Sequence, residues 1–99
     1  MVAFEWNEEK RQATLLKHGI DFIDAVEVLT SDHLSVDARS EAEQRKLAIG
    51  RLNGIAIAVV YTMRGDICRI ITARRARRDE REHFEALFSG RDQKTEKPD

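Results

Sequence analysis

The chain has 99 residues, 41% of them apolar and 35% charged, with a formal net charge of −1. That allows one small core. No apolar run approaches the ~20 residues of a membrane span, and one cysteine, Cys68, excludes an internal disulfide. Met1–Trp6 lacks the basic and apolar regions of a signal peptide, so the expected location is cytoplasmic, with no membrane partner.

Asn7 caps a first helix that runs to about His18, and Gly19 stops it. Asp21 caps a second helix, in which Phe22, Ala25, Val26 and Leu29 fall on one apolar stripe. From Leu34 the period changes to two. A short strand is expected over 34–38, a connection over 40–43, and strands over 44–52 and 55–63. Asn53-Gly54 between apolar strands is a strong hairpin signal, because both residues tolerate positive φ. A two-residue turn sets Lys46 opposite Tyr61 and Leu52 opposite Ile55. Arg64-Gly65-Asp66 turns the chain into a last strand over 67–74. A final helix is expected from about Arg77 to Ser89, with Phe84, Leu87 and Phe88 on its apolar side and Gly90 as its stop. Residues 91–99 read as a disordered polar tail. The fold class is α+β within one domain, 1–90: two N-terminal helices, a four-stranded antiparallel meander and a C-terminal helix. The central strands are apolar on both faces near the turn, so both faces need cover, one from the first two helices and the other in part from the last helix or from a partner protein.

Charge is uneven along the chain. Arg64 to Arg81 holds seven of the 17 basic residues and three acids, Asp66, Asp79 and Glu80. Planar guanidinium groups match phosphate oxygens in paired hydrogen bonds, so this cluster reads as a phosphate-holding face. Arg74 and Arg75 are adjacent in a strand and point to opposite faces. The bland alternative is that one of them pairs with Glu80 or with acids of the second helix. Cys68, beside Arg69 in an apolar strand, reads as a small buried hydrophobe. His18, His33 and His83 have no metal-ligand spacing with one another or with Cys68, so neither a metal nor a cofactor is expected.

One ordered set of residues goes further. Phe4-Glu5-Trp6, Lys10, Lys17-His18-Gly19, Ala25, Asp37, Arg45, Gly50, Val59-Val60-Tyr61-Thr62 with Arg64, and Arg69-Ile70-Ile71-Thr72-Ala73-Arg74-Arg75-Ala76 with Glu80 resemble the BrnT toxins. The resemblance covers roughly residues 4–88 without a large insertion. It implies a RelE-like fold and a metal-independent endoribonuclease that blocks translation, with RNA as substrate and the ribosome as a candidate partner. It also implies a type II toxin–antitoxin pair. The expected antitoxin is a BrnA-like ribbon-helix-helix protein that neutralises the toxin and binds operator DNA on its behalf. This chain departs from the family at Asn7 (usually Asp), Thr14 (Asn), Thr72 (Ser) and His83-Phe84 (a tyrosine-containing stretch). The changes at Thr14 and His83 count against a role for either.

Such an enzyme must help the 2′-hydroxyl lose a proton, stabilise charge on the phosphate and help the 5′-oxygen leave. Arg64 and Arg74 are the expected charge stabilisers. His18, the histidine inside a family motif, is the candidate for proton transfer; at a helix C-terminus it is equally a residue favoured by the helix dipole. Tyr61 is the fourth catalytic candidate. Lys46 opposite it is either a charge that lowers the phenol's pKa or a chain packed along the ring. Arg69, Arg75, Arg77, Lys10 and Lys46 complete the expected phosphate-binding set. Trp6 reads as a core anchor before it reads as a base-stacking platform. Two other readings of the arginine face stand beside the enzyme: a non-catalytic nucleic-acid-binding module and a protein-interaction module.

Overall fold

The computed structural model describes residues 3–38 and 44–96. The elements run β1 (Ala3–Trp6), α1 (Glu8–His18), α2 (Phe22–Thr30), β2 (Leu34–Ala38), β3 (Arg45–Leu52), β4 (Ile55–Arg64), β5 (Ile67–Arg75) and α3 (Arg78–Glu96). The connection expected over 40–43 lies outside the described residues.

Local signals act where they were placed. Asn7 accepts a hydrogen bond from the Lys10 N–H at 3.0 Å, and Gly19 takes φ 71° to end α1. Asp21 accepts from the Ile23 N–H at 2.9 Å at the start of α2. Asn53 and Gly54 have φ 53° and 80°, and β3 pairs with β4 from Lys46–Tyr61 to Leu52–Ile55. These are short-range effects, set by residues within a few positions of one another.

Three features differ from the sequence reading. The sheet has five strands and is mixed, in the order β1-β5-β4-β3-β2, because Ala3–Trp6 pairs parallel to β5 on its outer edge. A four-residue strand carries too little periodicity to be read locally, and its partner lies more than 60 positions away. The second difference is the helix end: α3 passes Gly90 and runs to Glu96, taking in the first part of the expected tail. The third lies in α2, where Val28 is fully buried with Phe22 and Ala25, while Val26 and Leu29 are half-buried.

The sheet separates two cores. On one face, Phe22, Ala25 and Val28 of α2 pack on Ala48, Ile57, Val59, Tyr61, Cys68, Ile70 and Ala73, with Phe4 and Trp6 beside them. Trp6 meets Phe22 edge-on at 6.2 Å, as a core anchor does. α2 approaches the sheet closely at Gly50, where an added Cβ would lie 3.0 Å from Val28 Cγ1. On the other face, Phe84 of α3 packs on Leu47, Ile49 and Ala58, with Phe88, Leu34, Ala38 and Val60 around it. Fully burying a side chain such as Phe22, Ile49 or Ile70 is worth roughly 1.5–3 kcal/mol. Both faces are therefore covered near the turn, as the two-sided apolar pattern requires.

Candidate nucleic-acid interface

A β-bulge in β5 builds the basic face. Thr62 pairs with Arg69, but Tyr61 pairs with Ile70 and Val60 with Thr72, so Ile71 is an extra residue. Strict alternation along β5 would put Arg69 on the side of Ala73 and Arg75. The extra residue reverses the phase. Cys68, Ile70 and Ala73 face the α2 core, and Arg69, Thr72 and Arg74 face the α3 side. On β4, Ala58, Val60, Thr62 and Arg64 share that side. Alternation with Leu47 and Ile49 adds Arg45 from β3. α3 packs over the β3 half of this face, with Phe84 on Leu47, Ile49 and Ala58, while toward the far end of β4 Thr62 is buried and Arg64 is exposed.

The arginines in this row are held differently. Arg74 forks onto Glu80, Nη1 to Oε1 at 2.8 Å and Nη2 to Oε2 at 2.9 Å. Glu80 Oε1 also accepts from the Arg77 N–H at 2.8 Å, which caps α3. The Arg74 hydrogen bonds, then the Arg77 N–H, hold the Glu80 carboxyl below the usual carboxylate range despite its burial. Arg74 is thus a tie between β5 and α3 as well as a cation. Arg69 is half-compensated by Glu5 of β1 at 3.1 Å, which also ties the added strand to the sheet. Arg64 is exposed at the end of β4. Arg77 is exposed at the start of α3. Thr62, buried, donates its hydroxyl to the Gln44 carbonyl at 2.7 Å.

The remaining sequence candidates lie elsewhere. Tyr61 is on the α2 face, 9% exposed, with its hydroxyl 3.3 Å from Ser35 Oγ. Lys46 is beside it, bonded to Asp37 at 3.1 Å. Arg75 and His18 line a small hollow of about 150 Å³ with Asp24 and Asn53, at the hairpin end of that same face. Lys10 is exposed on α1. The sheet backbone therefore lies between Tyr61 and His18 on one side and Arg64 and Arg74 on the other. The four do not converge on one phosphate. A larger hollow of about 570 Å³ on the α2 face is mostly apolar, lined by Phe4, Leu29, Met63 and Cys68 with Thr30, His33 and Tyr61. Burial there pushes the Cys68 thiol up to about 11, which suits an inert hydrophobe.

Residues 6–80 match the family described as ribonuclease toxin, BrnT, of type II toxin-antitoxin system. The chain belongs to the BrnT family. The crystal structure of the Brucella abortus ribonuclease toxin BrnT superposes with a TM-score of 0.61 at 34% identity, covering 79% of this chain and 100% of that one. No curated protein sequence matches the chain.

Arg64, Arg69 and Arg74 lie on one face of the sheet, Arg69 and Arg74 each paired with a carboxylate. Sequence reasoning found Arg64, Arg69 and Arg74 but not their common face. The signal available was weak: Ile70-Ile71 beside Thr72 interrupts the alternation of β5 without marking which residue is extra. Among the described residues no group of three or more His, Cys, Asp or Glu is placed to hold a metal ion. Likewise no helix among them is long and apolar enough to cross a membrane.

Proposed function

We propose that this BrnT-family chain is a metal-independent endoribonuclease with a RelE-like site on the α3 face of its sheet. In this reading it blocks translation in the cytoplasm by cutting RNA, either free or on the ribosome. The observation that carries it is the bulged register that puts Arg64, Arg69, Thr72 and Arg74 on one face of β4 and β5. Arg64 and Arg69 hold the phosphate, and Arg77 extends the positive rim. Arg74, fixed by Glu80, presents its remaining edge without having to reorganise, which is what transition-state stabilisation needs. The in-line attack of a 2′-oxygen on phosphorus then develops charge against cations that are already in place.

The partner in this reading is a BrnA-like ribbon-helix-helix antitoxin whose toxin-binding part is acidic and covers Arg64, Arg69 and Arg77. Operator DNA is reached through that antitoxin. Charge steering of this kind weakens as salt rises.

The test is cleavage of RNA by the folded chain in EDTA, with RNA alone and with ribosome-bound messenger, and with antitoxin added back. Cleavage that survives the chelator and stops with the antitoxin is expected. RNA bound in a salt-dependent way but left intact in both settings would replace the enzyme with a non-catalytic binding module.

A further inference from the structure

We propose that His83 is the group that takes the 2′-hydroxyl proton, a role that rests on the ribonuclease reading above. Among the described residues, the carboxylates bonded to the arginine row are already engaged. Glu80 is engaged by Arg74 and by the Arg77 N–H. Glu5 is tied to Arg69. His18 and Tyr61 lie on the far side of the sheet.

Helix geometry places His83 on the right flank. Phe84 points down into the core under α3, packed on Leu47, Ile49 and Ala58. Glu85 reaches the hairpin end of the sheet, 3.6 Å from Arg51. Two residues of an α-helix are about 200° apart, so His83 leaves the opposite flank from Glu85. That flank faces away from the hairpin end and toward Arg74. Glu80 confirms the side independently. It lies one turn before His83, a spacing that sets Cβ atoms ~5–6 Å apart, and it reaches across to Arg74. Leu87, one turn later, continues the same flank and is 45% exposed. His83 is itself exposed, so its imidazole is open to a substrate lying on the arginine row.

The step balances without a co-reactant. The 2′-oxygen attacks phosphorus and its proton passes to the neutral imidazole. The bond from phosphorus to the 5′-oxygen breaks, and that oxygen keeps the electron pair and takes a proton from water. A 2′,3′-cyclic phosphate and a 5′-hydroxyl result, and the imidazolium returns its proton to solvent. Imidazole suits the task because one ring nitrogen can accept the proton while the other keeps its own.

The experiment compares wild type, His83→Gln and His33→Gln in EDTA on a 5′-labelled RNA of mixed sequence, using free or ribosome-bound RNA as wild type requires. His83→Gln should lower kcat by about 10²-fold or more with KM changed less than about threefold, since positioned acid–base groups contribute roughly 10²–10⁴. His33→Gln should match wild type. A substrate with sulfur at the scissile 5′ position, whose leaving group needs no acid, should show the same loss. Wild type that cuts while His83→Gln keeps its kcat within a few-fold overturns the inference and leaves the ribonuclease standing. So does a defect confined to KM, or one that disappears with the sulfur leaving group. A wild type that cuts nothing removes both readings together.

Discussion

The two faces of this sheet use similar side chains to opposite ends. On the α1–α2 face the polar groups are satisfied locally. Tyr61 meets Ser35, Lys46 meets Asp37, and Arg11 of α1 forks onto Asp21 at 2.8 and 3.1 Å. Apolar cover is close enough there that Gly50 has no room for a methyl group. On the α3 face Arg74 is forked by Glu80 and Arg69 is paired with Glu5, while Arg64 is exposed. Arg74–Glu80 and Arg11–Asp21 are both forked ion pairs that join two elements. Arg11–Asp21 joins α1 to the start of α2, and Arg74–Glu80, the more covered of the two, joins β5 to α3.

The strongest way to break this contrast is Arg64→Ala. It should lower cleavage by about 10²–10³-fold, the usual loss for one transition-state donor, while changing stability by less than ~1 kcal/mol because the residue is exposed. Single-turnover cleavage and a urea melt read the two effects; cleavage within a few-fold of wild type would remove the α3 face as the site. Arg74→Ala should lose both properties, since it leaves the Glu80 carboxylate without its fork. Its stability cost should be about 2 kcal/mol, the scale of hydrogen bonds to charged groups. An Arg74 variant of unchanged melting midpoint would show that the tie to α3 is ornamental.

Gly50→Ala tests the scaffold face alone. The new methyl would press on Val28 Cγ1 at 3.0 Å and on His33 Cβ at 3.3 Å. Overpacking of this kind costs about 1–3 kcal/mol, and the chain that remains folded should cut RNA at the wild-type rate. Tyr61→Phe is expected to cost roughly 1 kcal/mol for the lost hydroxyl contact and nothing in kcat. A large fall in kcat would put Tyr61 back among the catalytic groups. The smallest effect is on pH. The Glu80 carboxyl is held below its ordinary value of 4.5 in the fold, so the fork stabilises fully above that value. Its contribution fades as pH falls through the lower folded value. Glu80→Gln should therefore show a flatter acid limb in a pH series of melts, and an identical limb would assign acid sensitivity to other groups such as Asp21, whose carboxyl is also lowered.

Much of the fold was legible because its signals are local. Asn7, Gly19, Asp21 and Asn53-Gly54 each act within a few residues, and the hairpin register followed from a two-residue turn. β1 was not legible, since Ala3–Trp6 becomes a strand by pairing with a segment distant in sequence. The family resemblance named arginines, a histidine and a tyrosine together, but family motifs record residue types and order, not faces. His18 and Tyr61 therefore stood beside Arg64 and Arg74 until the sheet was seen to run between them. His83 departs from the family pattern, and its spacing one turn after Glu80 is a feature of the sequence itself.

The sequence by itself determined the class of fold, the central hairpin, the burial of Cys68, the basic segment from Arg64 to Arg81 and the family. Each rests on local backbone preference, hydrophobic period or ordered motifs, which need no knowledge of distant contacts. Only the tertiary structure decided which arginines share a face. That choice hangs on one extra residue at Ile71, on Glu80 reaching back to Arg74, and on where α3 packs over the sheet. Each depends on segments brought together by folding, so no window of sequence contains it.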